Sequence, residues 1–145
     1  MSKSNAFETA LLSHIFENAD IALIGDAAGL QNSATAGSLY FSLHTADPTD
    51  AADQTTSEVA YTSYARVAVA RSSSGWTVSG NAVAVDADVV FPAGTGGSGT
   101  ATHWGLGTDA SGAGLLLYKG AISPSIVCGN GVTPRLTAGT VVTED

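Results

Sequence analysis

The spacing of hydrophobic positions along this chain changes period once. Near the start they recur at helical intervals, with Phe7, Leu11, Leu12, Ile15 and Phe16 in one stripe and His14 and Glu17 off it. Asn5-Ala6-Phe7-Glu8 reads as a capping box, in which Asn5 accepts from a free helical N–H and Glu8 reaches back. The helix, or a second short one, is predicted to continue from Ala19 to Ile24 and to stop at Gly25-Asp26.

After a small polar loop from Gly29 to Gly37 the period becomes two. Leu39–His44 reads as a strand ended by Thr45-Ala46-Asp47-Pro48, where proline suits a turn. Tyr64–Arg71 alternates, with Val67 and Val69 on one side and Arg66, Ala68 and Ala70 on the other. Trp76 and Val78 share a face, Ser79-Gly80-Asn81 signals a hairpin turn, and Ala82–Phe91 returns. A glycine tract over 94–99 precedes strands at 100–106, 115–119, 122–128, 132–136 and 140–143. Seven to nine short strands with Gly-rich turns predict a mainly β protein, a β-sandwich or jelly-roll-like barrel with an N-terminal α-helical arm. The expected division is an arm over residues 1–28 and a β-sandwich domain over 38–145.

Composition sharpens this picture in one respect. Only 12% of the 145 residues are charged, about half the roughly 25% of an ordinary soluble domain. Gly, Ala, Ser and Thr take their place, which gives either a smooth polar surface suited to close packing against neighbours or simply a Thr/Ser-rich β surface. The net charge of −8, with Lys3, Lys119, Arg66, Arg71 and Arg135 as the basic residues, argues against binding nucleic acid through phosphates and against anionic membranes. No apolar run approaches a membrane span, and the N-terminus lacks a signal-peptide core, so synthesis and folding in a cytoplasm are expected. The single Cys128 reads as a small buried strand residue.

Candidate chemistry is sparse. Gly94-Thr95-Gly96-Gly97-Ser98-Gly99 matches a dinucleotide fingerprint in form, but strand-like residues follow where a helix should hold the pyrophosphate, so it reads as a flexible loop. His14, His44 and His103 lack a second ligand at zinc spacing, and no nucleophile elbow is present. Asp47, Asp50, Asp53 and Glu58 form an acidic loop in which a weak cation site is conceivable but the 12-residue calcium pattern is absent. Trp76, Trp104, Tyr61 and Tyr64 could form a sugar-binding shelf, or instead be core and cross-strand aromatics. No catalytic, cofactor or metal residues are assigned, and the chain is expected not to be an enzyme.

The run Ser42-Leu43-His44-Thr45-Ala46-Asp47-Pro48, the acidic loop and Tyr64-Ala65-Arg66-Val67-Ala68-Val69 together resemble a family of small tailed-bacteriophage and prophage virion proteins. Further pieces of the likeness are Phe91-Pro92-Ala93, Ala101–Gly107 and Leu117–Ala121. The resemblance implies a structural role in the virion, alongside the major capsid protein or tail proteins, without direct nucleic-acid or membrane contact. Small size and the lack of fibre-like repeats favour a head decoration or cement protein, homo-oligomeric, clamped by Phe7, Leu11, Ile15 and Phe16 of the arm. The alternatives are a tail fibre, tail-tip or head–tail joining component, with the loops at 47–58 and 94–99 facing outward, and, outside the virion, a carbohydrate-binding surface module.

Overall fold

The computed structural model describes residues 2–144. They form one helix, α1 (Asn5–Glu17), followed by β1 (Ser38–His44), β2 (Val67–Ala70), β3 (Trp76–Ser79), β4 (Ala82–Val85), β5 (Val89–Val90), β6 (Ser98–Gly107), β7 (Leu116–Gly129), β8 (Arg135–Leu136) and β9 (Val141–Thr143). The mainly β class with an N-terminal helix is as expected; the sheets are open and antiparallel, and none closes into a barrel.

The chain folds as two compact units that interleave in sequence. Unit one comprises the residues up to Ser38, Ala70–Asp88 and those from Thr137 onward. It therefore takes in α1 and the sheet of order β3-β4-β9, so the helix shares a unit with strands placed by the sequence reading in a separate domain. Trp76 pairs with Val85 and Val83 with Val142, as alternation of the hairpin requires. Leu12 and Phe16 are fully buried, and Phe16 meets Trp76 edge-on at 4.7 Å. Burial of aromatic rings in this geometry combines a large apolar area with a favourable quadrupole contact.

Both ends of α1 depart from the sequence reading. Ser4, not Asn5, is the N-cap, its Oγ accepting from the Phe7 amide at 3.4 Å, while Glu8 is buried. The helix stops at Glu17 because Asn18 turns left-handed (φ 58°), and it does not run on toward Ile24. Arg71 then donates to the terminal carbonyls of His14 at 2.7 Å and Ile15 at 2.6 Å. A guanidinium there satisfies orphan acceptors and complements the negative end of the helix dipole.

Unit two holds Leu39–Val69 and Val89–Leu136, with the sheet β2-β1-β6-β7 and the pair β5-β8. On one face of the larger sheet lie Leu39, Phe41, Leu43, Trp104 and Leu106, all buried, with Phe41 and Trp104 edge-to-face at 5.8 Å. The two strands expected over 115–119 and 122–128 are a single edge strand, β7. Its register shifts between Ala121 and Ile126, where Ile122-Ser123-Pro124-Ser125 stand opposite only Thr102. A bulge and a proline, which has no N–H to offer, blunt an otherwise long open edge.

Candidate functional site

The second face of the large sheet carries the polar residues that determine what unit two can do. Alternation along β1 puts Ser42 and His44 on this face, and both are fully buried. The His44 Nδ1 lies 2.8 Å from the Thr56 carbonyl, and its Nε2 lies 2.8 Å from the Ser42 Oγ. With Nδ1–H donating to the carbonyl, Nε2 accepts the serine hydroxyl. In form this is a serine–histidine pair, but a backbone carbonyl stands where an orienting carboxylate would, and neither side chain reaches solvent. Gly105 lies opposite Ser42, and a Cβ there would press on both the His44 ring and the Ser42 hydroxyl. Desolvation is the main cause that lowers the His44 pKa, so the ring is neutral near pH 7.

Around this pair the segment after β1 folds back on the sheet. Thr45 donates to the Ser57 carbonyl at 2.7 Å, and Val59 to that of Leu43 at 2.9 Å. Glu58 is then held on three sides. Arg66 grips it with two bonds, Nε to Oε1 at 2.7 Å and a terminal nitrogen to Oε2 at 2.8 Å, and the Tyr64 hydroxyl donates to Oε1 at 2.8 Å. The same guanidinium donates to the carbonyls of Asp109 and Gly112, at 2.9 and 2.8 Å. Gln54 completes the link, since its Oε1 accepts from the Asp109 amide and its backbone N–H donates to the Ala113 carbonyl. One clasp of Glu58, Tyr64, Arg66 and Gln54 therefore fixes two exposed segments, 45–58 and 108–114, against each other. The bidentate geometry is the strong form of this contact. Burial raises the pKa of the Tyr64 phenol, and the hydrogen bonds to Glu58 raise that of Arg66, so neither donor titrates near neutrality.

The acidic loop is thus accounted for one carboxylate at a time. Lys119 lies 2.9 Å from Asp47 and 3.4 Å from Asp50. Asp53 accepts from the Thr55 amide and hydroxyl, at 2.8 and 2.6 Å. Lys119 and the Asp47 partner stabilise each other's charged forms, and Asp53 is held ionised by Thr55. Among the described residues no three carboxylate, histidine or cysteine groups converge as a metal site would require. A shallow groove of about 390 Å³ runs between Thr49, Asp50 and Ala52 on one side and Leu116–Lys119 on the other. Thr49, Ser57 and Ser63 hold positive φ (68°, 54° and 79°) without being glycine. The clasp keeps this loop in a conformation the free chain would avoid.

The glycine tract is not the flexible loop expected from its composition. Gly94 donates to the Val132 carbonyl and accepts from the Gly131 amide, both at 2.8 Å, and Thr95 and Gly96 exchange bonds with Thr62. A side chain at Gly94 would collide with the Gly129 carbonyl, so glycine is required by the close approach of backbones. Strand β6 begins at Ser98, where a dinucleotide site needs a helix.

The other candidates are scattered. Trp76 and Trp104 are 1% and 7% exposed, which leaves no tryptophan shelf for a sugar. Tyr61 is buried with its hydroxyl donating to the Pro92 carbonyl, and burial pushes its phenol up to about 12. Cys128 is buried and its thiol is raised by desolvation, which makes it a poor nucleophile. His103 borders His44 in register, bonds to the Thr102 hydroxyl and lies within electrostatic reach of Asp47. Of the residues expected to clamp a neighbour, Phe16 belongs to the core of its own unit, Leu11 and Ile15 are half-buried, and Phe7 is 39% exposed. Sequence reasoning missed the clasp. Its one visible signal was Arg66, a rare cation just before the Val-Ala-Val-Ala strand β2.

No helix among the described residues is long and apolar enough to cross a membrane. No curated protein matches the chain. A family model described as Podophage GP4 fiber I protein gp80 matches residues 2–144, nearly the whole length; the chain belongs to that family, and so to the structural proteins of the phage particle.

Proposed function

We propose that the chain is a non-catalytic fibre component of a podophage tail, whose unit two presents the segments 45–58 and 108–114 as one rigid polar surface. The family match over residues 2–144 is the observation that carries this reading. It favours the tail over the head-decoration role expected from small size and the lack of fibre-like repeats. The clasp agrees in kind: Glu58, Arg66, Tyr64 and Gln54 hold loops in place, and the Ser42–His44 pair is sealed from solvent. A surface whose loops are already ordered loses little entropy when it meets a neighbour or a host.

Location on the particle tests the reading. Intact virions labelled against this chain and imaged should show a small, fixed number of copies at the tail. Hundreds of copies across the head faces would restore the decoration role, and absence from the particle would remove both.

A further inference from the structure

In unit one the segment between α1 and β1 is ordered by its own bonds. Asn18 and Ser33 close its base with two reciprocal bonds, both 2.9 Å. Asp20 accepts from the Asn32 amide at 2.6 Å, and Ile21 and Leu30 exchange backbone bonds at 2.9 and 2.8 Å. Asp26 accepts from the amides of Ala28 and Gly29, and Gln31 donates to the Ala28 carbonyl. Ile21 is buried and anchors the loop.

This fixed loop nevertheless holds large apolar side chains in water. Leu23 is 78% exposed, Ile24 46% and Leu30 45%. Leu23 also sits at φ 67°, a left-handed conformation that a branched-chain residue such as leucine rarely takes. Ordering, strain and apolar exposure all cost free energy in the isolated chain, and solubility would favour Gly or Asn at that turn. An arrangement of this kind is recovered only when the side chains are buried elsewhere.

Charge identifies what covers them. Between residues 18 and 37 the only charges are Asp20 and Asp26. A second copy of the chain would bring a net charge of −8. Its cations are also already engaged: Lys3 with Glu144, Arg66 with Glu58, Lys119 with Asp47, Arg71 with helix carbonyls, and Arg135 likewise within the chain. We propose that Leu23, Ile24 and Leu30 form a preordered knob that seats in an apolar pocket, rimmed by Lys or Arg, on a different protein of the phage particle. The proposal rests on the virion reading above and adds the attachment surface.

The test uses particles assembled without this chain, mixed with the purified full-length protein, sedimented and counted for bound copies by quantitative mass spectrometry. Leu23→Ser with Ile24→Ser should bind at least tenfold fewer copies, with unchanged circular dichroism. Leu23→Gly separates attachment from folding: it should raise the thermal midpoint by relieving the left-handed strain, yet still weaken attachment. Leu115→Ser with Val127→Ser, exposed apolar residues of unit two, should bind like the wild type. Normal binding by the Leu23/Ile24 variant would overturn the knob and leave the virion reading intact. Equal loss in the Leu115/Val127 variant would reduce the effect to general stickiness and overturn it as well. Self-association of the wild type that the knob variant loses, seen by sedimentation velocity, would make a second copy the occupant instead. A wild type that never binds the particles would defeat both the knob and the reading beneath it.

Discussion

The two units solve the same problem, a small core under little charge, by different means. Unit one closes around Leu12, Phe16, Trp76, Val83, Val85 and Val142, an apolar contact between a helix and three short strands. Unit two has an apolar face of its own, with Phe41, Trp104 and Leu106, but adds a buried polar layer of Ser42, His44 and Gln54 with the Glu58–Arg66 pair above it. Apolar packing is tolerant of chemistry and intolerant of lost volume. A polar layer has the opposite character: its contribution depends on its partners, and removing one strands the other. The difference teaches where each unit is fragile.

The largest expected effect lies in unit one. Phe16→Ala removes a fully buried ring from the face of Trp76 and should cost about 3–5 kcal/mol of stability. In hydrogen exchange, β3, β4 and β9 should lose protection. If those strands kept their protection while the helix frayed, the helix would be an appendage, as the sequence suggested, and the unit would not need it.

Next comes the clasp. Glu58→Ala leaves Arg66, whose side chain is 3% exposed, without its carboxylate. The expected loss is about 3 kcal/mol, at the low end of the range for breaking a buried pair because Glu58 keeps some contact with water. Replacing both partners, Glu58→Leu with Arg66→Met, should recover much of that loss in denaturant unfolding, since it leaves no stranded charge. No such rescue exists for a missing ring, so a double variant as unstable as Glu58→Ala alone would erase the contrast drawn between the units.

The smallest effect is a pH dependence of unit two. Burial lowers the pKa of His44 in the folded state below the ordinary histidine value of about 6.5. The unfolded chain therefore binds a proton that the folded one refuses, and stability is complete above about pH 6.5 and falls as pH drops below it. The slope from one group is at most about 1.4 kcal/mol per pH unit. Asp47 and Asp53, whose pKa values are lowered, add losses only at more acid pH. Denaturant midpoints at pH 7 and 5 for the wild type and His44→Gln should diverge, the variant showing the shallower fall. Parallel curves would place the acid sensitivity elsewhere.

Much of the chain was legible before folding. Helical recurrence of Leu12 and Phe16 marked α1, and alternation gave β1, the β3–β4 hairpin across Gly80 and the final strand β9. The period of hydrophobic residues reports which side of a single element faces a core, and that is local information. The mainly β class, the buried state of Cys128 and the strand after the glycine tract follow from the same kind of signal. So does the likeness around Ser42–Pro48 to phage structural proteins, since a motif travels with its sequence.

Tertiary structure decided what depended on residues far apart in the chain. Arg71 caps the last carbonyls of the helix of residues 5–17 across more than fifty positions, and no composition rule links the two. Gly94 is fixed by carbonyls near 130, which turns an apparently loose tract into a junction. Glu58 and Arg66 stand close in sequence, but the bonds of Arg66 to Asp109 and Gly112, and of Asp109 to Gln54, exist only once the sheet has brought those turns together. Leu23 gave no warning either. Its residue type promised helix, and only the closed loop from Asn18 to Ser33 showed it held left-handed in water. Sequence determined which faces of this protein are apolar, because that is a property of each segment alone. Which polar groups become partners, and which apolar ones are left waiting for one, was decided by long-range closure.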